Sequence, residues 1–96
     1  VIVHRGCIVG PGTLLNSNVS LGHDTTIAGL SNLNPGVSVG GNCSVGSGVT
    51  LGIGSSVRDG ISIGDDVTVG AGATVVTDLN VRGIYVGCPA RLLKDQ

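Results

Sequence analysis

The chain has no Phe, Trp or Met, and Tyr85 is its only aromatic residue. A conventional core of large side chains cannot be assembled from it. It has no Glu, one Lys and four Arg against six Asp, for a formal net charge of −1. That excludes the strongly basic surface that nucleic acid binding requires. No apolar run approaches the roughly 20 residues of a membrane-spanning helix, so membrane insertion is not expected. No signal peptide is visible. Three cysteines, Cys7, Cys43 and Cys88, form no C-x-x-C pair and no zinc-ligand spacing. Their odd number, without a secretory signal, favours reduced thiols and a cytoplasmic location. The chain opens VIVHRG without Met, as expected for a piece of a longer protein.

Glycine is abundant, 18 of 96 residues, and Val, Ile and Leu are spaced evenly among the glycines. Such aliphatics suit strands. Stepping by six from Val3 meets Val9, Leu15, Leu21, Ile27, Leu33, Val39, Val45, Leu51, Val57, Ile63, Val69, Val75 and Val81, all aliphatic, with no insertion. We denote this position i. Position i+1 is Gly at 10, 22, 40, 46, 52, 64 and 70, and Asn or Ala at 16, 28 and 34. Position i+4 is small or β-branched from Cys7 to Ala73, and includes Thr13, Thr25, Ser31, Cys43 and Ser55. A period of six is even, so i and i+4 can face one side of short strands. It does not fit the 3.6 of a helix, where glycine costs about 1 kcal/mol per residue. The glycines and asparagines at i+1 permit the positive φ of tight turns. The expectation is strand, turn, strand, turn, with one large and one small apolar residue inward per unit. One unit alone cannot bury its face, but stacked units can, as a solenoid.

This pattern resembles the hexapeptide-repeat proteins, whose unit is an aliphatic residue, a small or acidic one, two free positions, a small or β-branched one and a free position. The resemblance runs from residue 3 to about residue 80. It implies a left-handed parallel β-helix, three hexads or 18 residues per triangular coil and four to five coils here. It also implies homotrimers with acyl-transfer sites in the clefts between subunits. On that geometry Cys7 and Cys43 lie 36 residues and two coils apart. At about 4.8 Å per layer they are separated by roughly 9.6 Å, beyond the ~7 Å Cα limit of a disulfide, and read as packing residues. We expect the β-helix to occupy 1–82 and a capping segment 83–96. Tyr85 falls where a small residue is expected, Pro89 ends the strand character, and ARLLKDQ reads as a short helix over the last coil. The N-terminal end shows no equivalent cap.

Candidates for chemistry are few. A hexapeptide β-helix that binds catalytic zinc needs three histidines, and this chain has only His4 and His23; no metal site is expected. No G-x-S-x-G elbow is present, and Cys88 has no histidine near it in sequence. His23 remains as a general base, since an imidazole can accept a proton from a hydroxyl or amine near neutral pH. Asp24 can fix its tautomer and favour the imidazolium that forms. The two occupy i+2 and i+3, outward-facing turn positions. The plainer alternative is a polar residue on a solvated corner.

The stretch LGHDTTIAGLSNLNPGVSVGGN resembles a bacterial group of sugar O- and N-acetyltransferases, the sialic acid and bacillosamine type. Their pattern places an acidic residue, His, and Asp or Glu ahead of a P-G and a later G-N. His23 falls on the catalytic base and Asp24 on its acidic partner; Pro35, Gly36, Gly41 and Asn42 also match. The tail YVGCPAR resembles their V-G-N-P-A-K/R, with Cys88 in place of Asn. Gly22 replaces the Glu before the histidine, and Asn32 replaces a second histidine that contacts acetyl-CoA. By the same resemblance Asn32, Ile53 and Ala71 fall on contacts to acetyl-CoA, the implied acyl donor, and the acceptor is a nucleotide-activated sugar. The nucleotide-sugar-binding domain that precedes the β-helix in these enzymes is absent from this sequence. Pro35, Ile53 and Ala71 are 18 residues apart and so stack in one outward column, which suits a pantetheine arm or is an ordinary row of turn residues. Arg58 and Arg82 can pair with phosphates or be solvated charges; His4, Arg5, Asp65 and Asp66 read as surface residues. The resemblance implies an acetyltransferase. A non-catalytic trimeric scaffold or binding module is the alternative.

Overall fold

The computed structural model describes residues 1–95. Each hexad from Val3 to Val75 forms one two-residue strand. The first coil carries β1 (Ile2–Val3), β2 (Ile8–Val9) and β3 (Leu14–Leu15), and the second β4 (Ser20–Leu21), β5 (Thr26–Ile27) and β6 (Asn32–Leu33). The third carries β7 (Ser38–Val39), β8 (Ser44–Val45) and β9 (Thr50–Leu51), and the fourth β10 (Ser56–Val57), β11 (Ser62–Ile63) and β12 (Thr68–Val69). β13 (Thr74–Val75), β14 (Gly83–Val86) and β15 (Arg91–Asp95) follow. Every third strand pairs in parallel with an 18-residue register, as in Ser20↔Ser38 and Leu33↔Leu51. Three sheets result: β1-β4-β7-β10-β13, β11-β8-β5-β2 and β15-β14-β12-β9-β6-β3. They form the three walls of a left-handed β-helix of about five turns.

The wall spacing follows from the sequence. Position i supplies the buried Leu21, Ile27, Leu33, Val45, Leu51 and Val69, and position i+4 supplies Val19, Val37, Cys43, Val49 and Val67. Each fully buried aliphatic side chain contributes about 1.5–3 kcal/mol of transfer free energy. Polar residues at i+4 reach across to the next coil. Cys7 Sγ donates to Gly22 O at 3.0 Å, Thr13 Oγ1 to Ala28 O at 3.1 Å, Thr25 Oγ1 to Gly40 O at 2.7 Å and Ser31 Oγ to Gly46 O at 3.0 Å. Cys43 Sγ donates in the same way to Arg58 O at 3.2 Å. Both cysteines are free thiols in these packing positions.

Four local expectations are corrected. The positive φ angles fall at i+3, on Gly6, Gly12, Asn18, Asp24, Leu30 and every sixth residue to Gly72, and not at i+1. The i+1 glycines serve close approach between coils: a Cβ at Gly10 would sit 2.5 Å from Gly29 N, and one at Gly46 2.8 Å from Asp65 N. Second, the strict period ends at Val75. Val81 is 59% exposed, whereas Leu79 is buried and bridges Ile63. The fifth coil is thus two residues shorter than the others. Third, this shift places Tyr85 opposite Val69, at an aliphatic position rather than a small one. Its ring is buried and its hydroxyl donates to Val81 O, satisfying the polar end. Gly83 takes the small inward position.

Fourth, the expected C-terminal helix is absent: Arg91–Asp95 is a strand, antiparallel to β14. Gln96, the last residue of that expectation, lies outside the described residues. The segment is too short to repay helix nucleation, and β14 offers an unpaired edge. Gly87 O accepts from Thr74 N–H at 3.0 Å, and Ala90 N–H donates to Thr74 O at 2.8 Å, so the hairpin turn also covers β13. At the other end the first coil is open, and Val3 and Val9 are exposed although they occupy position i. The residue just before position i faces outward and is Ser, Thr or Asn in coils two to four. In the first coil it is Ile2, Ile8 and Leu14, at least 60% exposed on all three walls.

Candidate functional site

The three sheets meet at three corners. The first corner follows strands of the first sheet. Down the axis it reads His4-Arg5-Gly6, Gly22-His23-Asp24, Gly40-Gly41-Asn42 and Arg58-Asp59-Gly60. Both histidines and two of the four arginines stand here. The third corner reads Asn16-Ser17-Asn18, Asn34-Pro35-Gly36, Gly52-Ile53-Gly54 and Gly70-Ala71-Gly72, with no ionisable side chain. The solenoid therefore has one ionic ridge and one neutral, lightly apolar ridge.

On the ionic ridge, His23 and Asp24 project outward and are about half exposed. His23 Nδ1 lies 3.0 Å from Asp24 Oδ2. A neutral imidazole that donates from Nδ1 keeps its Nε2 lone pair free. The ring folds toward the next coil, where Gly41 makes room: a Cβ there would sit 2.9 Å from Nε2. Below it, Gly41 N–H donates to Asp59 Oδ1 at 3.3 Å. Arg5 Nη1 stands 3.7 Å from Asp24 Oδ2 on the opposite side. Thr25 braces the corner from inside, donating to Gly40 O and accepting from Cys43 N–H at 3.2 Å.

On the neutral ridge, Pro35, Ile53 and Ala71 form one exposed column, held by Gly54 N–H to Pro35 O at 3.0 Å and Gly72 N–H to Ile53 O at 2.8 Å. Asn32 lies on the outer face of the adjoining third sheet, between Leu14 and Thr50. Its Oδ1 is buried and has no hydrogen-bond partner. Such an atom is costly to leave unpaired and is ready to accept from a ligand N–H or O–H.

Resemblance named Asn32 and the His23–Asp24 pair, and spacing the Pro35–Ile53–Ala71 column, but neither gave their separation. His23 and Asp24 come together at the first corner; Pro35, Ile53 and Ala71 stack at the third, with the first sheet between the two sets; Asn32 stands off that column, on the outer face of the third sheet. Among the described residues no cavity encloses either set, and no cluster of three metal-ligating side chains forms. Arg58 is exposed on the ionic ridge and Arg82 is exposed near the second corner. Gly41 and Thr25 were missed as site-forming residues. Applying the 18-residue period to His23 would have found Gly41 directly beneath it.

Residues 42–77 match the family model of the bacterial transferase hexapeptide (six repeats). The fold of the whole chain is the left-handed β-helix that such repeats build. No match is found among curated proteins. Among solved structures, this hexapeptide β-helix is similar to the acetyltransferase domain of PglB from Neisseria gonorrhoeae FA1090, at 29% identity and a TM-score of 0.91, over 95% of this chain and 44% of that one. The same domain in complex with acetyl coenzyme A matches with a TM-score of 0.87 and 25% identity, over 96% and 54%. PerB from Caulobacter crescentus, in complex with CoA and GDP-perosamine, matches at 29% identity with a TM-score of 0.77, over 95% and 53%. The hexapeptide β-helix thus spans about half the length of these solved chains. Among the described residues no helix is long and apolar enough to cross a membrane.

Proposed function

We propose that this chain is the catalytic β-helix of an acetyl-CoA-dependent acetyltransferase acting on a hydroxyl or amine of a nucleotide-activated sugar, in the cytoplasm. The observation that carries the reading is the His23 Nδ1–Asp24 Oδ2 contact of 3.0 Å on a half-exposed imidazole; with the proton on Nδ1, Nε2 is the free base. The similar domains with CoA or acetyl-CoA in their solved complexes support the acyl donor, and GDP-perosamine in one of them supports a sugar acceptor. In this reading His23 Nε2 takes the proton of the attacking hydroxyl or amine. The new bond forms to the thioester carbonyl, the C–S bond breaks, and the imidazolium returns its proton to the departing thiolate. Asp24 holds the tautomer.

Acetyl-CoA lies along the neutral ridge, with Asn32 Oδ1 accepting a hydrogen bond and Ile53 and Ala71 contacting the pantetheine arm. Because the two ridges stand at different corners, the site is completed when the neutral ridge of one copy meets the ionic ridge of another, as in a homotrimer. Gly22 and Asn32, which stand where the resembled enzymes carry Glu and His, favour one other reading, a trimeric scaffold without catalysis. Acetyl-CoA titration with acetyl-transfer assays on wild type and His23→Ala separates the two. The enzyme reading expects saturable binding in both proteins and a rate reduced by about 10²–10⁴-fold in the variant, the usual range for a lost general base. Undiminished transfer by His23→Ala, or no saturable binding to wild type, refutes it.

A further inference from the structure

Asp24 is held almost wholly by the coil that precedes it. Its backbone is in the left-handed region, at φ 58°. Its N–H donates to Arg5 O at 2.9 Å. Its carboxylate lies over Gly6, where a Cβ would collide with Oδ1. The Arg5 guanidinium stands 3.7 Å from Oδ2, the same oxygen that faces His23 Nδ1. A main-chain bond to its backbone, and a vacant seat and a facing cation for its carboxylate, therefore all come from the corner turn one coil above the imidazole.

We infer that Arg5 and Gly6 are positioning residues: they fix the Asp24 carboxylate so that neutral His23 carries its proton on Nδ1 and presents Nε2 as the base. The need for such a seat is physical. His23 and Asp24 are neighbours in sequence and half exposed, and an exposed pair gains at most a small free energy after paying for side-chain order. The neutral ring has two tautomers, and only a placed acceptor selects one. Arg5 is itself 82% exposed, so solvent weakens its pull on the carboxylate and its effect is a modest bias. The other charged groups on this corner point elsewhere or lie farther off. Asp59 faces Gly41 N–H below the ring. His4 and Arg58 make no ion pair with Asp24. The catalytic meaning of the inference rests on the proposed function; its structural content does not.

The test is the ¹⁵N NMR spectrum of the His23 imidazole in the intact chain, under conditions where the ring is neutral. Wild type, Arg5→Gln, Gly6→Ala, Asp24→Asn and the Arg5→Gln/Asp24→Asn double variant are compared. Wild type is expected to show mainly the Nδ1–H tautomer. Arg5→Gln shifts the tautomer ratio toward Nε2–H by about two- to fivefold, the factor set by one exposed ion pair. Asp24→Asn removes the preference, and Arg5→Gln then adds nothing further, the non-additivity expected of residues acting through one group. In acetyl transfer, Arg5→Gln lowers kcat by a similar factor and leaves KM for acetyl-CoA unchanged, because the neutral ridge is untouched. Gly6→Ala moves the ratio in the same direction if it folds; Arg5→Gln decides alone if it does not. An unchanged ratio in Arg5→Gln, or an equal change with and without Asp24, overturns the inference. If wild type transfers no acetyl group, the proposed function fails while the tautomer measurement still decides this one.

Discussion

Thr25 and Ser55 occupy the same inward position in their hexads, are both fully buried, and should respond to apolar replacement with opposite sign. Thr25 Oγ1 donates to Gly40 O at 2.7 Å and accepts from Cys43 N–H at 3.2 Å. Val is nearly isosteric with Thr, so Thr25→Val keeps the packing, removes both bonds and leaves a partly buried carbonyl and a buried N–H without these partners. Each orphaned group costs about 1–3 kcal/mol, so a loss of roughly 2–6 kcal/mol is expected. Ser55 Oγ is buried with no partner. Ser55→Ala therefore removes a desolvation penalty and no bond, and should be neutral or stabilising by up to about 1 kcal/mol. For a domain of this size 1 kcal/mol shifts Tm by about 4–8 °C. Urea and thermal unfolding at one fixed protein concentration compares them without confusion from association. Thr25→Val should also weaken the site, because Thr25 ties the His23–Asp24 turn to the Gly40–Gly41 turn beneath the imidazole. If Thr25→Val is no more destabilising than Ser55→Ala, the cross-coil hydroxyl bonds do not hold the corner.

Leu30 is 75% exposed and sits at φ 62°, where a non-glycine L residue is strained by roughly 1–2 kcal/mol. Leu30→Gly loses little burial and should stabilise the fold by up to about 1 kcal/mol, once glycine's greater unfolded-state freedom is subtracted; a lower urea midpoint would contradict this. Ile53→Asp places a carboxylate on the neutral ridge and should weaken acetyl-CoA binding by roughly tenfold or more, about 1.4 kcal/mol, in calorimetric titration, with circular dichroism unchanged. Replacing Ile2, Ile8 and Leu14 together by Ser, the residue that dominates their position in the later coils, should reduce concentration-dependent self-association in sedimentation velocity. Equal association of the variant and wild type would show that this apolar collar is not what drives it.

The hexad rule was legible because each coil repeats the same two inward residues, and an even period leaves no other side for them to face. Leu21, Ile27, Leu33 and Leu51 could be assigned to the core from spacing alone, and His23 and Asp24 to the surface, since i+2 and i+3 must turn. Local sequence could not show which glycines carry the left-handed backbone, because positive φ at i+3 and close coil contact at i+1 both favour glycine. Nor could it show that the register slips by two residues after Val75, since Val81 continues the aliphatic count while Leu79 bridges Ile63. The strand at Arg91–Asp95 was equally hidden, for only the finished solenoid presents β14's open edge.

Sequence by itself determined the solenoid and placed the imidazole and its carboxylate side by side, because both follow from repeats shorter than one coil. Tertiary structure decided what stands one coil above and below. Gly41 under the ring, Gly6 and Arg5 over the carboxylate, and the first sheet between His23 and the Ile53–Ala71 ridge all depend on contacts at least 18 residues apart. Such contacts exist only once the coils have stacked.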